Sequence, residues 1–410
     1  MCGSPLERGQ GCVIRLYNTP LLFRKPLRSP SQEGNYSEIM KLGYDAKRAF
    51  LNNTGLGNYS RWLVKALAQY HPENTYYLYT PKVKPNPRLD FLSEFSNIKT
   101  VTPVGKLSKS WWRSKGIVED LQRDGINIYH GLSHELPIGI GESGIKSVVT
   151  VHDLIFMRFP EQFGRISRTI YRLKVTKACA VADKIIAISK KTKDDLVELL
   201  DVDAAKIKVI YQGCDPIFKV ERSAEQKKAV AEKYNLPAEF ILSVGTIEER
   251  KNLLLLVKAL PSVENNIPLV VVGKPTKYLK LVKSYLSANN LNERVIFLHG
   301  VEFADLPAIY QLAKVFVYPS RYEGFGIPVL EAITSGTPVI AAKGSCLEEA
   351  GGGNSVYVDP NDPIDLADKI NAIINYEQLR EKMITKGKEY SLNFEDAKLA
   401  DQLMQLYNNL

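Results

Sequence analysis

A chain of 410 residues, 45% of them hydrophobic and 24% charged, has the make-up of an ordinary water-soluble globular protein with room for two domains. No apolar run approaches the roughly 18 to 20 residues of a membrane span, and the N-terminus lacks the uninterrupted apolar stretch of a secretory signal, so the expected compartment is the cytoplasm. The net charge of +9 is uneven: residues 1–215 hold 32 Lys and Arg against 21 Asp and Glu, and residues 216–410 hold 22 against 24. The basic first half either faces anionic partners or is a solvated surface.

Residues 1–39 show no sustained hydrophobic period and are broken by Gly, Pro and Ser. They read as a disordered leader or an over-extended start, with Met40 opening the folded chain. From there, short β-branched and aromatic runs alternate with amphipathic patterns, the signature of parallel sheets covered by helices. Strands are expected at 41–44, 75–79, 126–129, 146–151, 184–188 and 207–211, with a helix at 57–70, giving a first domain over residues 40–215. After the turn-rich YQGCDPIFKV, the runs FILSVG, PLVVVG, RVIFLHG, VFVYPS, PVIAA and VYVD mark a second domain over 216–392. The fold class is α/β, two Rossmann-like doubly wound domains facing a central cleft, with ligands beyond the carboxyl ends of the strands. Cys2, Cys12, Cys179, Cys214 and Cys346 have neither CxxC nor metal-type spacing and read as free thiols.

The strand ends carry the chemistry. After FILSVG, Arg250 and Lys251 arrive just before a helix; a planar fork of donors beside a compact charge suits a diphosphate, whereas an isolated pair of this kind is a solvated loop. After VFVYPS comes RYEGFGIPVLEAITSG. Here Pro328 fits a first helical turn and Gly336 a helix stop. Gly324 and Gly326 let backbone approach a ligand, and the amides before Ile327 can bind phosphate oxygens with dipole help of about 0.3 to 1 kcal/mol. Glu331, near the helix start, is explained as a carboxylate opposing the dipole. Glu323, in a glycine loop, is not. Two spaced acceptors suit sugar hydroxyls, which suggests a ligand with a sugar on each side of a phosphate.

Other features leave two readings open. Trp111 and Trp112 stand among Lys106, Lys109, Arg113 and Lys115, and Arg165, Arg168 and Arg172 recur at helical spacing. These faces meet an anionic membrane or a lipid-pyrophosphate acceptor, or they are ordinary helices with a solvated side and packed tryptophans. His130 and His134 either line an acceptor site or hold a loop. Asp201-Val202-Asp203 reads as a helix-end turn rather than a metal clamp.

Taken together, TGLGNY at 54–59, VHD at 151–153, GTIEERKN at 245–252 and the EGFG…E pattern at 323–331 resemble the family 4 retaining glycosyltransferases of the GT-B fold. The resemblance covers about residues 40–408 and is strongest to the mannosyltransferase-like branch. It implies that Glu331 accepts hydrogen bonds from a nucleotide ribose, that Glu323 lies against the transferred sugar, and that Gly324, Phe325, Gly326 and Ile327 meet sugar and phosphate through their backbone. Arg250 and Lys251 would neutralise the diphosphate, Gly55 and Gly57 would close over donor and acceptor, and His152 would stand beside the hexose. Residues 393–410 would form a helix crossing back to the first domain.

The implied reaction is retaining transfer of a hexose from a nucleotide-diphosphate sugar to a glycan or lipid-linked saccharide acceptor in cell-surface polysaccharide synthesis. GDP-mannose is the donor suggested by the branch, with no cofactor, no metal, and peripheral contact with the inner face of the cell membrane. Rival readings are another GT-B enzyme, such as a nucleotide-sugar epimerase, or a non-catalytic glycosyltransferase-like binding subunit. A dehydrogenase is disfavoured because Gly55-Leu56-Gly57 lacks the third glycine of a dinucleotide fingerprint, and no nucleic-acid motif accompanies the basic half.

Overall fold

The computed structural model describes residues 39–104 and 108–410. The expected leader up to residue 38, and Lys106 of the tryptophan segment, lie outside the described residues. In the first sheet, β1 (Lys41–Asp45), β2 (Thr75–Tyr79), β3 (Ile98–Val101), β4 (Ile128–Gly131), β5 (Lys146–Val151), β6 (Lys184–Ala187) and β7 (Ile207–Val209) pair in the order 3-2-1-4-5-6-7. The second sheet holds β8 (Ile241–Val244), β9 (Leu269–Val272), β10 (Val295–Leu298), β11 (Val315–Tyr318), β12 (Val339–Ala342) and β13 (Val356–Val358) in the order 10-9-8-11-12-13. Every pairing is parallel. Strands β4, β9, β11 and β12 are buried along their whole length, as strands covered by helices on both faces must be.

Strand β3 has no counterpart in the expected set. It is the sheet's edge, with Lys99 and Thr100 exposed, so its apolar signal is weak. Strand β4 begins two residues later than expected, because Asn127 is spent on the start of β1: its side chain accepts from the Lys41 amide at 2.7 Å, and its own amide donates to the Lys41 carbonyl. The strand orders place β1 beside β4 and β8 beside β11. At such reversals the connections leave on opposite faces, and a crevice opens beyond the carboxyl ends.

The helix Asp396–Asn408 lies against Gly55–Tyr70 of the first domain. Trp62 donates through its indole N–H to Asp396 at 2.9 Å, and Tyr407 meets His130 Nδ1 at 2.7 Å. The other His130 nitrogen meets Thr150 at 2.8 Å, and burial pushes the imidazole down to about 3. His130 therefore ties the last helix into the first core; it does not line an acceptor site. The two tryptophans divide. Trp112 is buried with its N–H on Asp120 at 2.7 Å, while Trp111 is exposed. Asp201 ends the helix Lys190–Leu200 in the left-handed region at φ 52° with its amide donating to the helix carbonyls, and the Asp203 carboxylate caps the following turn.

The last helix buries Leu399, Leu403, Met404 and Tyr407, side chains worth about 1.5 to 3 kcal/mol each. Deleting residues 394–410 is expected to lower the calorimetric midpoint sharply and to expose the face of Gly55–Tyr70. An unchanged midpoint would show that this packing contributes nothing to the fold.

Candidate active site

The loop after β11 is organised around one carboxylate. Glu323 Oε1 accepts from the Tyr318 hydroxyl at 2.8 Å and the Ser320 hydroxyl at 2.9 Å, and lies 2.8 Å from an Arg250 nitrogen. Arg250 also bonds Glu248 at 2.6 Å and the Tyr322 carbonyl. It is thus not a free cation awaiting a diphosphate. A guanidinium only 8% exposed requires counter-charges, and Glu323 and Glu248 supply them. Burial alone would raise the Glu323 carboxyl, but the charges of Lys251 and Arg250 outweigh it and hold the group below the usual range. Lys251 has no ion pair among the described residues. Its ammonium stands 5.6 Å over the Tyr318 ring, and its charge bears on both Glu323 and Glu331.

Glu331 departs from its expected role. It lies a full turn inside the helix Ile327–Thr334, caps no amide, and accepts from the Tyr310 hydroxyl at 3.1 Å. Burial pushes its carboxyl up to about 8; the Tyr310 hydrogen bond and the charge of Lys251 pull it down by less, and the charge of Asp215 adds to the rise. At neutral pH this side chain is a protonated acid, able to donate as well as accept.

The backbone around these groups is set by two glycines. Gly326 takes φ 110° to turn the chain into the helix, a conformation that a side chain disfavours. At Gly324 a Cβ would lie 2.1 Å from the His152 carbonyl oxygen. The close approach made at Gly324 is therefore to the first domain. Phe325 is buried with its ring 5.6 Å from both Tyr211 and Phe394, anchoring the loop from behind.

From the first domain, β5 delivers His152. Its Nε2 bonds the Leu132 carbonyl at 2.8 Å, its amide donates to His134 Nε2 at 2.9 Å, and the Tyr59 ring meets it edge-on at 4.6 Å. Burial and the neighbouring His134 push the His152 imidazole down to about 3, so it is neutral. With Nε2 donating to a carbonyl, Nδ1 is left as the acceptor nitrogen. His134 holds this turn at φ 63°.

Gly55 and Gly57 separate in function. Gly55 has open space beside it, whereas a Cβ at Gly57 would fall 1.8 Å from the Asn52 carbonyl oxygen. Gly57 is fixed by packing that leaves no room for a side chain. Gly55, Tyr59 and Arg88 from one side, with Phe303, Ile327 and Glu331 from the other, line a cavity of about 350 Å³ between the domains.

Some contacts had no signal in the sequence. The Thr192 hydroxyl reaches the carbonyls of His152 and Gly324 at 3.1 and 3.3 Å. The Lys190 and Lys191 amides donate to the Glu349 carboxylate at 2.7 and 3.1 Å, and the Tyr211 hydroxyl adds a third bond at 3.1 Å. Glu349 caps a helix more than 150 residues away in sequence, and no local pattern announces such a partner. Among the described residues, no three His, Cys, Asp or Glu side chains group as a metal site, and no helix is long and apolar enough to cross a membrane.

Residues 54–218 match the family model described as Glycosyltransferase Family 4, and residues 224–390 match that of the Glycosyl transferases group 1. The chain belongs to the family 4, group 1 glycosyltransferases. The site loops of this glycosyltransferase-family chain fall inside the matched segments. Among its relatives, the serotype-specific mannosyltransferase WbdA of Escherichia coli is 30% identical over 285 residues, 65% of this chain and 34% of that protein. The chain therefore spans about a third of WbdA's length. The O-antigen chain mannosyltransferase B of Escherichia coli is 27% identical over 288 residues, 69% of this chain and 74% of that protein. The solved structure of Anabaena HepE, in complex with UDP and glucose, superposes with a TM-score of 0.70 at 18% identity, over 90% of this chain and all of that one. The shared architecture is the GT-B fold.

Two outcomes follow from the site geometry. The fold holds a proton on Glu331 that an unfolded chain, with a carboxyl near about 4.3, releases. That stability is complete below the unfolded value and is lost as pH climbs through about 8. Glu331→Gln should accordingly flatten the decline of the thermal midpoint between roughly pH 5 and 8, and parallel parent and variant profiles in calorimetry would refute the protonated state. Gly324→Ala should fold but part the domains, read as a larger radius of gyration in X-ray scattering; an unchanged radius would show that the His152 contact is dispensable.

Proposed function

We propose that this chain is a retaining, metal-independent glycosyltransferase that moves a hexose from a nucleotide-diphosphate sugar to a glycan or lipid-linked saccharide, at the cytoplasmic face of a membrane. The observation that carries the reading is Lys251, an ammonium with no ion pair among the described residues, whose field reaches both an ionised Glu323 and a protonated Glu331. That order matches a ligand with a ribose at one end, a transferred sugar at the other and a diphosphate between. The mannosyltransferase names of the relatives support mannose as the sugar and GDP-mannose as the donor. The same names support a role in surface polysaccharide synthesis.

Cleaving the bond between the anomeric carbon and the diphosphate oxygen leaves positive charge on the sugar and negative charge on the departing phosphate. Lys251, with the amides ahead of Ile327, answers the phosphate charge where it develops. Arg250 holds Glu323 ionised and oriented, so that its outer lone pairs can accept hydroxyls of the transferred sugar. The Glu331 and Tyr310 pair offers a donor and acceptors to the ribose hydroxyls. His152, kept neutral with its Nε2 committed to Leu132, presents Nδ1 to a sugar hydroxyl. The acceptor attacks on the face the diphosphate leaves, and the departing phosphate oxygen takes the acceptor's proton, so no protein nucleophile is required. Lys251 supplies the charge that a metal ion would otherwise provide.

A thermal-shift and hydrolysis screen against a panel of nucleotide sugars is the decisive test. GDP-mannose should raise the melting temperature and be turned over slowly, and Lys251→Ala should lower turnover by about 10²- to 10³-fold, as loss of a fixed charge at a developing oxyanion does. If no nucleotide sugar stabilises the protein and Glu331→Ala behaves like the parent, the donor-site reading is wrong.

A further inference from the structure

The residues on either side of Glu323 are both held by the first domain. Tyr322 is buried, with the Phe159 ring meeting its ring edge-on at 5.7 Å and the Lys191 ammonium standing 5.7 Å from its centroid. Both are favourable aromatic contacts: tilted ring pairs are preferred, and a cation within about 6 Å of a ring is drawn to it. On the other side, the Gly324 carbonyl accepts from the Thr192 hydroxyl at 3.3 Å. Glu323 thus sits in the second domain's loop between two residues whose contacts belong to the first.

The seat of Tyr322 is built around one carboxylate. Asp195, fully buried on the helix Lys190–Leu200, accepts through a single oxygen from the Lys191 ammonium at 2.8 Å and from the Arg158 guanidinium at 2.7 and 3.1 Å. Lys191 lies four residues before Asp195, the spacing that puts two side chains on one face of a helix. Arg158 directly precedes Phe159. Asp195 therefore fixes both walls of the seat, the ammonium on one and the segment carrying the ring on the other. A carboxylate removed from water needs such partners, and here both of them lead to Tyr322.

Tyr322 is in turn linked to the groups that orient Glu323. Arg250 Nη1 donates to the Tyr322 carbonyl, and the same nitrogen lies 2.8 Å from Glu323 Oε1. The Ser320 hydroxyl lies 3.3 Å from that carbonyl and 2.9 Å from the same carboxylate oxygen. Two donors are thus shared between the peptide of Tyr322 and the side chain of Glu323. Moving the ring out of its seat moves the carbonyl, and the donors that aim the carboxylate follow it. The hydrogen bonds at Tyr322 among the described residues go to this carbonyl, so the ring holds the seat by its face and edge.

We propose that Tyr322 is a positioning residue for Glu323, and that its seat against Phe159 and Lys191 makes the aim of that carboxylate depend on the first domain. The bearing on a transferred hexose rests on the transferase reading; the seat itself does not. Hydrogen exchange on the full chain tests the seat. Tyr322→Leu should speed exchange at the amides of residues 321–326 by about tenfold or more, while Tyr322→Phe, which keeps the ring, should match the parent. Phe159→Leu probes the same contact from the other domain, whether or not Tyr322→Leu folds. It should speed the same amides, and the double variant should add little, because residues in contact are not independent. Turnover of GDP-mannose tests the role. Tyr322→Leu should lower kcat by about tenfold to 10²-fold, as lost alignment does, and Tyr322→Phe should restore it. Affinity for GDP, measured by titration calorimetry, should stay at the parent value, because the phosphate and ribose contacts assigned to Lys251 and Glu331 do not involve Tyr322. Parent-like loop exchange in either leucine variant, a phenylalanine variant that behaves like leucine, or a loss of GDP affinity as large as the loss of kcat would each overturn the proposal. Faster loop exchange in the leucine variants, with no nucleotide sugar turned over by the parent, would count against the transferase reading and leave the seat standing.

Discussion

Where Gly324 meets the carbonyl of His152 there is no room for a methyl group, and the whole cleft is organised around that contact. The loop that follows β11 and the end of β5 come from different domains and far apart in the chain. Their backbones touch because the residue at the crossing has no side chain. Thr192 then bonds both carbonyls, and Glu349 receives two amides of the first domain a short distance away. With the backbones fixed in this way, the loop that carries Glu323 is held against the end of the strand that carries His152. A looser junction would leave the same residues in place along the chain but at no defined separation, and catalysis by positioning depends on that separation.

The second organising feature is the treatment of two carboxyl groups eight positions apart. Glu323 is buried yet ionised, because Arg250, Lys251 and two hydroxyls face it. Glu331 is equally buried, but its direct partner is a tyrosine hydroxyl, and it keeps its proton to about pH 8. Environments that push two acids apart assign them different work. One is a fixed negative charge, and the other a neutral hydrogen-bonding group beside the inter-domain cavity. The buried Arg250 belongs to this arrangement as a counter-ion. Removing either member of that pair would strand a charge in a place that water does not reach.

The architecture was legible before any coordinates. Alternating strand and helix periods, and the turn-rich break after residue 210, carry two doubly wound sheets, and twelve of the strands lie at or within two residues of their expected places. The exception, β3, is an exposed edge whose residues lack the apolar run that marks a central strand. The site's loops were also legible, since Gly, Pro and paired charges at strand ends are local signals. Partnership was not. That Arg250 is held by Glu323, that Gly57 is filled by the Asn52 carbonyl, that His130 binds the last helix, and that Glu349 caps a helix of the other domain are all facts about chain segments meeting in space.

The sequence by itself determined the fold class, the family and the set of residues that gather at the strand ends, because hydrophobic period and turn chemistry act over a few residues and are written locally. The tertiary structure alone decided the protonation of Glu331, the pairing of Arg250, the lack of an ion pair at Lys251 among the described residues, and the seating of Tyr322 against Phe159 and Lys191. Each of these depends on what is buried and what charge faces it. Burial and Coulomb energy are properties of the folded neighbourhood, and the same residues in the same order would carry different charges and face different solvents in another packing.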